Sequence, residues 1–267
     1  MKRENKMKSS LFYEKHLFSF YLKNRILSLK FLICLLLLMI PILQILNDYI
    51  FSTNIPIHLR LNQSLLDRIL YWEDFIASYG FFLIFLPIII SVDIISEEFS
   101  NKSAMILYST ESRNKILFIK LLSLMSAISL LTIIYFSTFL IAIFITTNYL
   151  VSIDIFLIGF LFVYLEFIFI ASLTFMISAL TRNVISSFFL PFLYLILNPF
   201  LEVLELGLLS YYSYKMKVFN FFRYMFFQEI IIFSNITAIC IIAIFGLPIM
   251  IILITFYTFN QFDIRVD

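Results

Sequence analysis

Charge is what this sequence has least of. Only 13% of its 267 residues are charged, while 62% are hydrophobic, against roughly 25% charged in an ordinary soluble domain. A chain this apolar has too few polar groups to coat a surface in water, which argues against a soluble domain; a bilayer removes that requirement. Glycine is also scarce. Gly80, Gly159, Gly207 and Gly246 each stand alone, whereas a P-loop needs clustered glycines whose backbone amides cradle phosphates, followed by Lys and Ser or Thr. The chain is therefore not expected to bind ATP itself. With six prolines there is little linker or low-complexity material. Two cysteines, Cys34 and Cys240, sit inside apolar segments without a Cys-x-x-Cys spacing, which argues against a disulfide framework or a cysteine-ligated metal. Two histidines, His16 and His58, are too few and too far apart for a zinc-protease helix. No Gly-x-Ser-x-Gly elbow occurs. No catalytic residue, cofactor, metal or nucleic-acid partner is expected.

What the chain has instead is long apolar runs, rich in its 34 Phe and 15 Tyr. A helix rising 1.5 Å per residue needs ~20 apolar residues to cross a ~30 Å hydrocarbon core, and without water the backbone is satisfied within helices. The runs are too long and too uniformly apolar for barrel strands, which alternate over ~10 residues. The sequence predicts an all-α membrane protein with six transmembrane helices: Phe31–Leu46, Phe75–Ile95, Ile116–Thr147, Ile155–Leu180, Val184–Leu204 and Ile236–Phe259. The third run is long enough to be tilted or to project beyond the membrane. Residues 1–30 form a cytoplasmic N-terminal segment without the features of a cleavable signal, and residues 260–267 a tail. There is no internal repeat.

Lysine and arginine set the orientation. Lys2, Arg3, Lys6, Lys8, Lys15, Lys23, Arg25, Lys30, Lys102, Arg113, Lys115, Lys120, Arg182 and Arg265 fall on one side of this topology, and Arg60, Arg68, Lys215, Lys217 and Arg223 on the other. The positive-inside rule places both termini in the cytoplasm, in a multi-pass protein of the plasma membrane in contact with lipid. Leu11–Lys30 mixes aromatic and basic residues as an interfacial helix does, although Lys15 and Arg25 fall near the edge of its apolar stripe. On the far side, Ser64–Phe75 and Val218–Phe233 have the mixed pattern of short interfacial helices or aromatic belts. Glu166 lies in the middle of the fourth run. An ionisable group there is costly and faces protein or a water-filled path, so it reads either as a pathway residue or as a hydrogen-bonded structural carboxyl.

The most informative stretch is Ser91–Lys120, SVDIISEEFSNKSAMILYSTESRNKILFIK. Helical numbering pairs Glu98 with Lys102 at the favourable i,i+4 spacing. Phe99, Met105 and Ile106 add apolar surface among charges, and Ser109, Thr110 and Ser112 read as a turn before a basic helix start. Such an element at the membrane face suits docking on a soluble partner, unless its charges merely mark the cytoplasmic side.

This stretch resembles the loop between the second and third spans of ABC-2 type transporter permeases. That family has an Ile-Ser-x-Glu-x-x-x-Gly-Thr-like run, matched by Ile95-Ser96-Glu97-Glu98-Phe99 with Lys102 and Ser103 where Gly and Thr are common. A Ser-Arg-x-x-Ile-x-x-x-Lys run follows, matched by Ser112-Arg113 through Lys120. The ending Phe259-Asn260-Gln261-Phe262-Asp263-Ile264 is similar to a Phe-x-x-Arg-Asp-Ile ending, with Phe262 in place of Arg. The resemblance covers essentially the whole chain as one transmembrane domain. It implies the permease subunit of an ATP-driven exporter, paired with a second permease subunit (identical or different) and with separate cytoplasmic ATPase subunits. Residues Glu97 to Met105 would be its coupling helix, with Glu97, Glu98, Phe99, Lys102, Ser103 and Met105 as ATPase-coupling residues. The alternatives are an ATP-independent transporter, channel or scaffold, and an intramembrane protease of the CAAX-processing type. The Glu97-Glu98 pair is similar to that protease family's Glu-Glu-x-x-x-Arg, but Lys102 replaces the Arg and no histidine follows in a span.

Overall fold

The computed structural model describes residues 2–51, 85–147, 153–203 and 235–261, without side chains for parts of these. Every regular element among them is an α-helix. In chain order these are α1 (Lys2–Ile26), α2 (Leu29–Phe51), α3 (residues 85–91), α4 (Ser96–Ser100), α5 (Ala104–Thr110), α6 (Arg113–Thr147), α7 (Ile153–Thr181), α8 (Val184–Val203) and α9 (Asn235–Gln261). Three of them contain stretches long and apolar enough to cross a membrane: Arg113–Thr138, Phe160–Thr181 and Ile239–Gln261. Shorter apolar stretches lie in α2 and α8. The segments Ser64–Phe75 and Val218–Phe233 lie outside the described residues, as does the first part of the Phe75–Ile95 run, up to residue 84.

The helices start and stop for identifiable reasons. Between α1 and α2 the Ser28 hydroxyl donates to the Arg25 carbonyl at 2.6 Å and accepts from the Phe31 amide at 3.2 Å, a local alternative to the helical ladder that turns the chain. At the α7–α8 junction Arg182 adopts φ 53°, ending α7, and the Asn183 side chain accepts from the Ile185 amide at 2.8 Å, the usual cap for a helix start. Pro248 lies within α9; membrane helices tolerate the lost backbone bond because neighbours shield it. Hydroxyls along the apolar helices are satisfied locally: Ser129, Thr132, Ser172, Thr174 and Thr255 each donate to the carbonyl four residues back at 2.7–2.8 Å.

Lipid tails are as apolar as leucine, so helix association in a bilayer rests on close packing rather than on escape from water. α7 is the centre of that packing, touching α6, α8 and α9, while α1 and α2 pack along α6. Ala171, Ser172, Thr174, Ser178 and Ala179 give α7 a buried succession of small residues, which lets neighbouring backbones approach closely. Two buried clusters result. The larger runs from Phe31, Cys34 and Leu38 of α2 through Ile116, Leu124 and Phe136 of α6 to Phe175 of α7 and Phe259 of α9. The smaller joins Ile88 to Phe162 and Phe169 of α7, Leu195 of α8 and Ile244 of α9. The Ser129 and Tyr164 hydroxyls meet at 2.8 Å between α6 and α7.

Candidate functional site

The residues that carry the sequence argument gather at one end of the bundle, around the connection from α3 to α6. α3 stops at Ser91, four residues short of the end expected from hydropathy, and residues 92–95 form a turn. A helix end leaves carbonyls without partners, and here several of the partners come from side chains and the following turn. Ile88 and Ser91 carbonyls accept from the amides of Val92 and Ile94. The Val92 carbonyl takes the Ser96 hydroxyl at 2.8 Å. The Arg25 guanidinium donates to the Ile90 carbonyl, and the Lys120 ammonium to the Ile94 carbonyl at 2.7 Å. Two cations from two other helices thus sit at the negative end of α3, the favourable sign for a helix C-terminus. From α7, the Ser178 hydroxyl accepts from the Ser96 amide at 3.0 Å, tying down the first turn of α4.

Acidic side chains complete the network. Asp93 pairs with Lys30 at 2.5 Å and lies 3.6 Å from Arg25. Glu98 pairs with Lys120 and accepts from the Tyr108 phenol at 3.0 Å. Lys120 is sealed, with its side chain 1% exposed against 14% for Glu98, and its ammonium stands 5.4 Å from the Tyr21 ring centre. Burial draws the Arg25 pKa below its ordinary value, against the opposing charges of Asp93, Glu97 and Glu98; arginine nonetheless keeps its proton. Burial above all, and then the Glu98 charge and hydrogen bond, pushes the Tyr108 phenol above its ordinary value. Tyr108 is therefore a neutral donor to Glu98. Farther out, Lys115 lies 3.4 Å from Glu14 and 3.2 Å from Glu111.

An aromatic cluster backs this network. Phe99 is buried with Tyr108 and Phe259, the latter two rings 5.3 Å apart and Phe99 6.3 Å from each. The Arg182 guanidinium lies over Phe99 at 4.8 Å. The end of α9 is held as well: the Asn260 amide donates to the Asn114 side chain at 2.6 Å, and Arg113 to the Asn260 carbonyl at 3.5 Å.

Two sequence expectations are corrected. Glu98 does not pair with Lys102, because α4 ends at Ser100 and Lys102 turns into the left-handed region at φ 56°; the partner of Glu98 is Lys120. Residues 97–105 are also not one helix but two, α4 and α5, separated by Asn101, Lys102 and Ser103. The six expected coupling residues divide accordingly. Glu98 and Phe99 point into the protein, while Glu97, Lys102 and Ser103 are exposed. Met105 lies in the first turn of α5, and its side chain is outside the described residues. Ile106 is 71% exposed on the same outer surface. Glu166 is not part of this assembly. It is buried in α7, twelve residues before Ser178 and so ~18 Å along the axis.

Sequence reading missed Lys120, Arg25, Asp93 and Arg182 as members of the site. Lys120 was legible in principle, as a lysine one turn inside an apolar run, where an unpaired charge is costly. The other three carry no local signal. Among the described residues no group of acidic, histidine and cysteine side chains could hold a metal ion. No protein-family model matches the chain, and no curated protein matches it significantly.

Proposed function

We propose that this chain is the permease subunit of an ATP-driven transporter of the ABC-2 type. In this reading six spans cross the plasma membrane with both termini in the cytoplasm. A second permease subunit completes the pathway, and a separate ATPase drives export. The three long apolar helices support a membrane protein, and the crowding of Arg25, Lys30, Arg113, Lys115, Lys120 and Arg182 at one end accords with a cytoplasmic face there.

One observation carries the proposal. Described residues from each of the three stretches that resemble the family meet in a single assembly. The glutamate of the first pairs with the terminal lysine of the second, Glu98 with Lys120, and Phe259 of the third packs on Phe99 and Tyr108 between them. Lys102 occupies the family's glycine position, and its φ of 56° is a conformation that glycine adopts without steric cost. The resemblance is thus of a kind that a shared backbone geometry would produce.

The division of labour differs from the one read in sequence. Glu98, Phe99 and Lys120 seat the α4–α5 element on the bundle. Glu97, Lys102, Ser103 and Ile106 form its outer surface, which we propose meets the ATPase. ATP-driven closure of the ATPase would move this surface, and the seating would pass the movement to α3, α6 and α7, shifting the population of membrane conformations. Glu166 would face the pathway in this scheme.

The experiment is a pull-down of the tagged full chain in mild detergent, with mass spectrometry of the associated proteins. A P-loop ATPase that is retained by the parent and lost with Ile106→Asp, while the variant remains folded, is the expected result. Absence of any ATPase under conditions that preserve a control transporter overturns the reading in favour of an ATP-independent membrane protein.

A further inference from the structure

The uneven apolar stripe of α1 has a structural explanation. Over residues 14–26 one side of the helix turns inward: Leu22 and Ile26 pack against the larger core, Glu14 reaches Lys115, and Arg25 reaches the end of α3. The opposite side is exposed and holds Phe20, Lys23 and Asn24, with Leu27 at the turn; Ser19 and Lys15 are exposed nearer the edge of the inward face. At 100° per residue Lys15 and Lys23 lie within one quadrant, and Phe20 and Leu27 lie together in the next. A phenylalanine 58% exposed and a leucine 72% exposed therefore have two cations along one side, Lys23 adjacent and Lys15 beyond it, that the inner network does not use. This outward surface is continuous with α2, whose Leu29, Leu32, Leu36 and Ile40 are also exposed. α2 begins two residues after Leu27, so an α2 that enters the bilayer leaves Leu27 near its point of entry.

We propose that the outer face of α1 is a binding surface for anionic phospholipid. Phe20 and Leu27 enter the interface beside α2, and Lys15 and Lys23 engage the headgroup phosphates of the same leaflet. An apolar strip bordered by lysines is the composition that binds an anionic membrane surface. The inner face of the same helix grips the α3–α4 turn through Arg25, so a lipid bound outside is one helix diameter from the α4–α5 element. The proposal requires a bilayer around α2 and is independent of the transporter reading.

The test uses the full-length chain in lipid nanodiscs, with no ATPase present. Phe20→Trp in a Trp72→Phe background leaves one reporter, since Trp72 is the only native tryptophan. Its fluorescence is measured with phosphatidylcholine or phosphatidylglycerol brominated high on the acyl chain, at equal mole fractions. The expected result is quenching by both, stronger for the anionic lipid, with each lysine contributing roughly a fivefold preference. Lys15→Gln with Lys23→Gln should abolish that preference while quenching by phosphatidylcholine persists. A reporter that neither lipid quenches overturns the membrane placement. Equal quenching by the two lipids, or a preference that survives the double substitution, overturns the anionic specificity. Leu27→Trp supplies a second reporter on the same face should Phe20→Trp fail to fold.

Discussion

Replacing Lys120 by methionine removes a charge from a sealed position and leaves three groups to answer for it. The Glu98 carboxylate, 14% exposed, keeps only the Tyr108 hydrogen bond. The Ile94 carbonyl loses its donor, and the Tyr21 ring loses its cation. Removing one member of a buried ion pair costs about 3–5 kcal/mol, because the partner's desolvation is no longer compensated. At about 2–4 °C per kcal/mol for a chain of comparable size, Lys120→Met should melt roughly 6–20 °C below the parent. The assay is thermal unfolding in detergent, followed by size-exclusion of the soluble fraction. Adding Glu98→Gln to Lys120→Met removes the stranded charge and should restore most of the loss, leaving a deficit of about 1 kcal/mol, typical of a missing hydrogen bond. A single variant within about 2 °C of the parent would refute the reasoning. So would a double variant whose loss equals the sum of the two single losses, since coupled neighbours depart from additivity.

Other substitutions test other parts of the junction. Lys102→Gly should stabilise the chain by about 1 kcal/mol, because glycine relieves the left-handed strain, and a lower melting temperature would contradict the assigned φ. Arg182→Gly relieves a similar φ but removes the cation over Phe99, which contributes about 0.5–2 kcal/mol; it should gain less than Lys102→Gly or lose stability, as measured in the same melt. Asp93→Asn leaves Arg25 buried beside a neutral side chain and should destabilise by about 3 kcal/mol, with faster amide exchange over residues 90–97 as the readout. The raised Tyr108 pKa favours its neutral form in the folded state, so its contribution is complete below the ordinary tyrosine value of about 10 and is lost as pH rises beyond it. Melting temperature should therefore fall more steeply in alkali for the parent than for Tyr108→Phe, and parallel curves would count against that sign.

Helix positions were largely written in hydropathy, since apolar length is what the bilayer selects. The run Ile155–Leu180 sits within α7, Val184–Leu204 overlaps α8 to within one residue, and Ile236–Phe259 sits within α9. The early end of α3 was not legible, because what stabilises it are side chains from Arg25 and Lys120, well removed in sequence. The Glu98–Lys102 pairing failed for a related reason. An i,i+4 rule presumes a helix that continues, and whether α4 continued past Ser100 was decided by contacts made elsewhere. The inward direction of Glu98 and Phe99 was not legible either, since a charged and an aromatic residue in a short loop read alike whether they seat the loop or greet a partner. The two faces of α1 were hidden because apolar residues occupy both, one set meeting α6 and the other facing outward.

The closure of the α3 end by cations from both sides of the sequence bears on how the chain is made. When a ribosome has delivered α3 and α4, Arg25 has long been available but Lys120 has not yet been synthesised. Until then the Ile94 carbonyl and the Glu98 carboxylate lack the ammonium that meets them both, and Phe99 and Tyr108 wait longer still for Phe259 to cover them. Closure of the polar network at this end of the bundle therefore waits for α6, and closure of its aromatic cluster waits for α9. A chain released before Lys120 would present an acidic, aromatic loop to the proteases that survey unfinished membrane proteins.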